Sequence, residues 1–125
     1  PRSTLFPYTT LFRSVSVKDI TELYDKPSYI QIILIEYVYE NIEINYLEVS
    51  KSNLQVIDEE KFASFTADYG PPITKLPQEI IQGLKASAQA VFGLVNKSKY
   101  IEILYRYKKY DEKSMPLLKF KVPVE

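Results

Sequence analysis

The side chains able to do chemistry in this chain are carboxylates, lysines and tyrosines, because it has no histidine and no cysteine. That inventory excludes a Ser-His-Asp or Cys-His nucleophile system, an imidazole base and the common zinc cages, so any catalysis would fall to Asp, Glu, Lys or Tyr. The densest acidic run is Asp58-Glu59-Glu60. Its oxygens suit a hard cation, but adjacent residues rarely converge on one point, and the same charges favour the first turn of a helix. Paired carboxylates for acid–base work would have to be assembled by a sheet from Glu36, Glu40, Glu43 and Glu48, which read more simply as surface charges matched across strands. Gly70, Gly83 and Gly93 stand too far apart for a phosphate-cradling loop. No catalytic residue, metal or cofactor is therefore expected, and the chain reads as a non-enzymatic domain.

Charge layout is more informative. From Val15 to Val95 there are six basic and twelve acidic residues, whereas Asn96 to Val122 carries eight basic and three acidic. The basic excess falls on two alternating segments. Tyr100 to Lys108 places Ile101, Ile103, Tyr105 and Tyr107 on one side and Glu102, Arg106 and Lys108 on the other; Leu118, Phe120 and Val122 likewise oppose Lys119 and Lys121. Tyr100, Arg106, Lys108, Tyr110, Lys119 and Lys121 are thus the candidate partner-binding residues, with Lys109 and Lys113 near the turn between the segments. An acidic protein is the leading partner, making this a small adaptor or an immunity-type inhibitor. Nucleic acid bound through the same hairpin is the alternative, and a regulatory piece of a longer enzyme is a third reading. On the structural side, these cations need no partner if they pair with Glu36, Glu43 or Glu48 on neighbouring strands.

Pro1 to Ser14, PRSTLFPYTTLFRS, matches residue for residue the first-frame translation of a sequencing-library adapter. It is set aside as an artefact, with the expectation that it makes few contacts and that Val15 to Glu125 is a single domain truncated at its start. Without Arg2 and Arg13, fourteen basic residues face sixteen acidic ones, a net charge of −2. A segment of about 110 residues can bury enough surface to fold without disulfides or metals. Its compartment is open, with the cytoplasm favoured, and no membrane span is expected because Gln31 and Glu36 interrupt the greasiest stretch.

The remaining patterns predict the scaffold. Ser16-Val17-Lys18-Asp19 has the form of a capping box opening a short helix to Tyr24. Tyr29 to Glu40 is apolar on both alternating sets, predicting a central strand covered on both faces. Ile42 to Ser50 predicts a second strand with a bulge, Leu54 to Ile57 a third, and Asp58 to Phe65 one or two helical turns. The clearest helical signal runs from Pro77 to Val95, where Ile80, Ile81, Leu84, Ala88, Val91, Phe92 and Val95 recur at steps of one, three and four. Together these predict an α+β two-layer sandwich: an antiparallel sheet of four or five strands with one long amphipathic helix across a face.

Overall fold

The computed structural model describes residues 10–67, 73–106 and 118–125. Its organising element is strand β2 (Gln31–Asn41), whose Ile33, Ile35, Tyr37 and Tyr39 are buried on one face while Ile32 is buried on the other. β2 is flanked by β1 (Thr10–Asp19) and β7 (Lys85–Leu94), both antiparallel to it, and β5 (Phe65–Ala67) completes the sheet β1-β2-β7-β5. A second sheet, β4-β8-β9, is built from β4 (Leu54–Ile57), β8 (Tyr100–Tyr105) and β9 (Leu118–Pro123). A short ribbon pairs β3 (Tyr46–Leu47) with β6 (Ile80–Ile81). Two sheets of this strand order, with the chain crossing between them at β2–β4, β4–β5 and β7–β8, reproduce the four-plus-three arrangement of a constant-type immunoglobulin sandwich, here without its disulfide or its tryptophan.

The long helix is absent and the α+β reading is overturned: among the described residues the only helical pieces are three-residue 3-10 turns at Thr21–Leu23 and Lys51–Asn53. The segment from Pro77 to Val95 carries a second periodicity. Ala86, Ala88, Ala90, Phe92 and Leu94 alternate as the buried face of β7, while Leu84, which the helical stripe would bury, is 50% exposed. Alanine favours helices in isolation, but here size complementarity decides. Ala86 lies opposite Tyr39, Ala88 opposite Tyr37 and Ala90 opposite Ile35, so the small side chains make room for the large ones of β2. Gly83, at φ +92°, turns the chain between β6 and β7 in a conformation a helix could not contain.

The predicted helix at Ser16 is likewise strand, with Ser16 opposite Glu36 and Asp19 opposite Ile33. The predicted Ser16 capping box is not formed; instead the Asp19 carboxylate accepts the Thr21 backbone N–H at 2.9 Å and its hydroxyl at 2.6 Å, at the start of the first 3-10 turn. The helical turns expected from Asp58 are a tight reversal. Buried Asp58 accepts the N–H groups of Glu60 and Phe62, Lys61 takes φ +69°, and Ile57 bridges to Ala63. Of Ile42 to Ser50, only Tyr46 and Leu47 are strand. The buried Asn41 amide explains the early break, since it donates to the carbonyls of Ile44 and Ile80 and accepts the Ile44 N–H.

The expectation of few contacts from the opening residues fails at Thr10–Ser14. Thr10, Leu11, Phe12 and Ser14 pair with Asn41, Glu40, Tyr39 and Val38, with a register shift at Arg13. Half-buried Phe12 packs on the main core, its ring 5.1 Å from Tyr105, 5.2 Å from Phe120 and 6.1 Å from Tyr37. Leu5 and Phe6 lie outside the described residues. The other end of β1 meets the chain's last residues. Val17 bridges in parallel to Val124, the Asp19 N–H donates to the Glu125 carbonyl at 2.8 Å, and the Glu125 N–H donates to the Val17 carbonyl at 2.9 Å.

The main core lies between the two sheets. Tyr37 and Tyr39 enter it whole, and their hydroxyls stay satisfied: Tyr37 donates to the Val49 carbonyl at 2.8 Å, and Tyr39 donates to the Gln78 carbonyl while accepting the Gln78 N–H. Burial pushes the Tyr37 phenol well above its ordinary pKa and raises that of Tyr39, so both are neutral polar anchors rather than bases. A smaller cluster of Ile20, Ile32 and Val91 covers the reverse face of the first sheet. There the Tyr29 ring lies directly on Gly93 and stacks on Phe65 at 5.9 Å.

Candidate functional site

Strand alternation places three of the candidate residues together on the outer face of β4-β8-β9. Ile101, Ile103 and Tyr105 point inward and are buried, as their parity predicts, which turns Tyr100 and Glu102 to the outside. β9 pairs antiparallel with β8, setting Lys121 opposite Glu102 and Lys119 opposite Leu104. Lys121 leans over the ring of Tyr100, its Nζ 3.9 Å from the ring centroid, while Tyr100 remains 39% exposed. Such a pair combines a cation with a flat aromatic face. Lys119 reaches diagonally to Glu102 at 3.0 Å, and Lys61, from the β4–β5 reversal, grips the other oxygen of the same carboxylate at 2.7 Å. Hydrogen bonds from Lys61 and then Lys119 hold the Glu102 carboxyl below its usual range, and Glu102 in turn raises the Lys61 ammonium.

Of the acidic partners expected on other strands, Glu36 is engaged elsewhere. Glu36 pairs with Lys75 at 2.6 Å and Glu40 with Arg13 at 2.6 Å, so these carboxylates neither meet the basic face nor converge as an acid–base pair. Lys108, Lys109, Tyr110 and Lys113 lie outside the described residues.

Arg106 lies at the other end of β8 from the Tyr100–Lys121 pair. Just past β8, its backbone is fixed by two bonds to the turn before β4: its N–H donates to the Asn53 carbonyl at 3.0 Å and its carbonyl accepts the Asn53 amide at 3.2 Å. From there it lines a cleft of about 290 Å³ that opens where the edge strands β4 and β5 part. Gln55, Ser64 and Thr66 supply other polar groups, and Phe92 and Leu104 supply apolar surface. Sequence reasoning missed this cleft, because no local pattern links residues that meet only at the diverging edges of two sheets.

A buried polar network crosses one end of the sandwich. Gln31 donates to Asp19 at 2.9 Å and to the Ser98 carbonyl at 3.3 Å, and accepts the Ser98 N–H at 2.8 Å. Asp58 accepts both the backbone and the side-chain N–H of Asn96 at 3.1 Å. With the two bonds from its own turn, this fills the Asp58 carboxylate with N–H donors, so Asp58 clamps the β4–β5 and β7–β8 connections. Burial acts to raise the Asp19 carboxyl, but the Thr21 hydroxyl and N–H, the Gln31 amide and the charge of Lys97 outweigh it and leave it below the ordinary value. These groups are consumed by structure.

No protein-family model matches the chain, and no curated protein matches it in sequence. Solved structures do resemble it. The lipoprotein candidate ycdA of Bacillus subtilis superposes with a TM-score of 0.66 at 16% identity, over 91% of this chain but 35% of that one. The secreted protein MPT63 of Mycobacterium tuberculosis gives 0.61 at 14% identity, covering 90% of this chain and 82% of its own. The yjhA protein of Bacillus subtilis gives 0.59 at 12% identity, covering 94% and 92%. The chain spans about a third of the length of ycdA, and at these identities the likeness is one of fold. Among the described residues no helix is long and apolar enough to cross a membrane.

Proposed function

We propose that this chain is a non-enzymatic binding module of an exported protein, engaging an acidic protein surface through the outer face of β4-β8-β9. The carrying observation is the Tyr100–Lys121 pair, an exposed aromatic ring with an ammonium 3.9 Å above it on a pleated sheet face. Tyrosine held by a sheet loses little entropy on docking, and a cation beside it selects an acidic counterpart. Lys119 and Lys61 sit around the pair already half-neutralised by Glu102, which favours a protein contact over a phosphate backbone needing several uncompensated cations. Export is supported by the secreted protein and the lipoprotein candidate that share the sandwich.

The test is affinity capture from extracts and culture medium of the source organism, comparing wild type with the double variant Tyr100→Ala, Lys121→Glu. A protein retained by wild type, lost with the double variant and kept by a Lys85→Glu control supports the reading. Equal retention by all three overturns the face. Retention of nucleic acid in place of protein, weakening steeply with salt, overturns the partner class.

A further inference from the structure

Arg106 makes no ion pair with any described residue, unlike Arg13, Lys61, Lys75 and Lys119. Ser64, across the same cleft, has a side-chain oxygen withdrawn from solvent and without a hydrogen-bond partner among the described residues. A hydroxyl in that condition forfeits the bonds it would make to water. Both residues are held by their backbones: Arg106 by the two bonds to Asn53, and Ser64 by its N–H to the Val56 carbonyl at 2.8 Å. Asn53 is itself fixed by accepting the Ser50 N–H at 3.1 Å. A positive group and an unsatisfied hydroxyl thus stand at a small cleft with Phe92 and Leu104 in its wall, on supports that are already ordered.

We infer that this cleft binds a small monocarboxylate, with the carboxylate on the Arg106 guanidinium and the Ser64 hydroxyl and the apolar end against Leu104 and Phe92. The planar fork of a guanidinium matches the two oxygens of a carboxylate. One guanidinium balances one negative charge, whereas a phosphate monoester of about −1.5 to −2 would carry an excess. A volume of about 290 Å³ admits a single ring or a short acyl chain rather than a folded peptide. A ligand oxygen in the cleft also gives Ser64 the acceptor it lacks, one χ1 step being enough to turn the hydroxyl outward. This site adjoins the Tyr100–Lys121 face, since Leu104 lies opposite Lys119, but its polar groups, Arg106 and Ser64, take no part in the Tyr100–Lys121 pair.

Benzoate is the probe, titrated into the intact chain and followed by backbone amide and arginine Nε–H chemical shifts. Saturable shifts at Ser64, Thr66 and Arg106 are expected, with little movement at Tyr100 or Lys121. Arg106→Gln should weaken binding by roughly tenfold or more, Arg106→Lys by less because the charge remains, and Ser64→Ala by roughly two- to fivefold. Benzyl alcohol, of the same shape without the charge, should not bind, and phenyl phosphate should bind more weakly than benzoate. Unchanged affinity in Arg106→Gln, equal binding of benzyl alcohol, tighter binding of phenyl phosphate, or the absence of saturable shifts overturns the inference. Ser64→Ala and Arg106→Lys leave the backbone anchors in place and keep the test open if Arg106→Gln is unstable.

Discussion

Truncating Phe12 to Ala asks whether the opening residues belong to the fold. The ring joins the core from the edge strand β1, in edge-on contact with Tyr105 at 5.1 Å and Phe120 at 5.2 Å, and tilted on Tyr37 at 6.1 Å. A fully buried Phe→Ala change costs ~3–5 kcal/mol. Phe12 is half-buried on the rim of the core, so about half of that is expected, roughly 2 kcal/mol. Part of the loss is specific to the ring, since aromatic pairs add ~0.5–1.5 kcal/mol beyond area; Phe12→Leu should therefore recover only about half of it. For a domain of this size, roughly 2 kcal/mol corresponds to a fall of about 10 °C in Tm. Urea unfolding followed by far-UV circular dichroism and tyrosine fluorescence measures it directly, as the chain has no tryptophan. Arg13→Ala, which removes only a surface pair with Glu40, is the control and should cost less than about 1 kcal/mol. A Phe12→Ala loss below about 0.5 kcal/mol would refute the reasoning and return Thr10–Ser14 to the status of a passive tail.

Gly93→Ala tests the reverse face: a Cβ there would collide with Cδ2 and Cγ of Tyr29, so the ring must leave Phe65, at a cost of ~1–3 kcal/mol. Adding Tyr29→Ala should make the Gly93 change nearly neutral, and full additivity of the two losses in urea unfolding would contradict the contact. Acid should destabilise the fold. Asp19 and Glu102 have folded pKa values below their ordinary 3.8 and 4.5, so their contribution is complete above those values and is lost as the pH falls through the lower, folded ones. A Tm–pH profile should therefore decline below about pH 4.5 and flatten in Asp19→Asn; a Tm that rises on acidification, or an unchanged slope in the variant, would reject the assignment.

What could be read from the residues follows the reach of the pattern. β2, β4, β8 and β9 were legible because branched and aromatic side chains alternate there without competition, and the same parity correctly sent Tyr105 inward and turned Tyr100, Lys119 and Lys121 outward. β7 was misread because alanine and serine fill its alternate positions, and a stretch of small residues satisfies both a step of two and steps of three and four. What settles it is the need of Tyr37 and Tyr39 for small neighbours on the adjacent strand, a requirement set some fifty residues away in sequence. β1 was misread twice, once because Ser16 and Asp19 mimic a helix cap and once because its first half was set aside as adapter. The backbone pairs regardless of where its codons came from, and Phe12 finds a gap among Tyr37, Tyr105 and Phe120. The Lys119 partner was missed for a simpler reason: Glu102 sits on the adjoining strand of the same hairpin, closer than any carboxylate on β2.

The parallel join of Val17 to Val124, locked by Asp19 and Glu125, has a mechanical meaning. The two terminal segments run side by side in the same direction, so tension drawn through the polypeptide from one end to the other pulls them past each other lengthwise. The bonds between them then bear load collectively, in shear, where an antiparallel hairpin would peel open one rung at a time. A domain fastened this way resists stretching along that line until the bonds of the join give together.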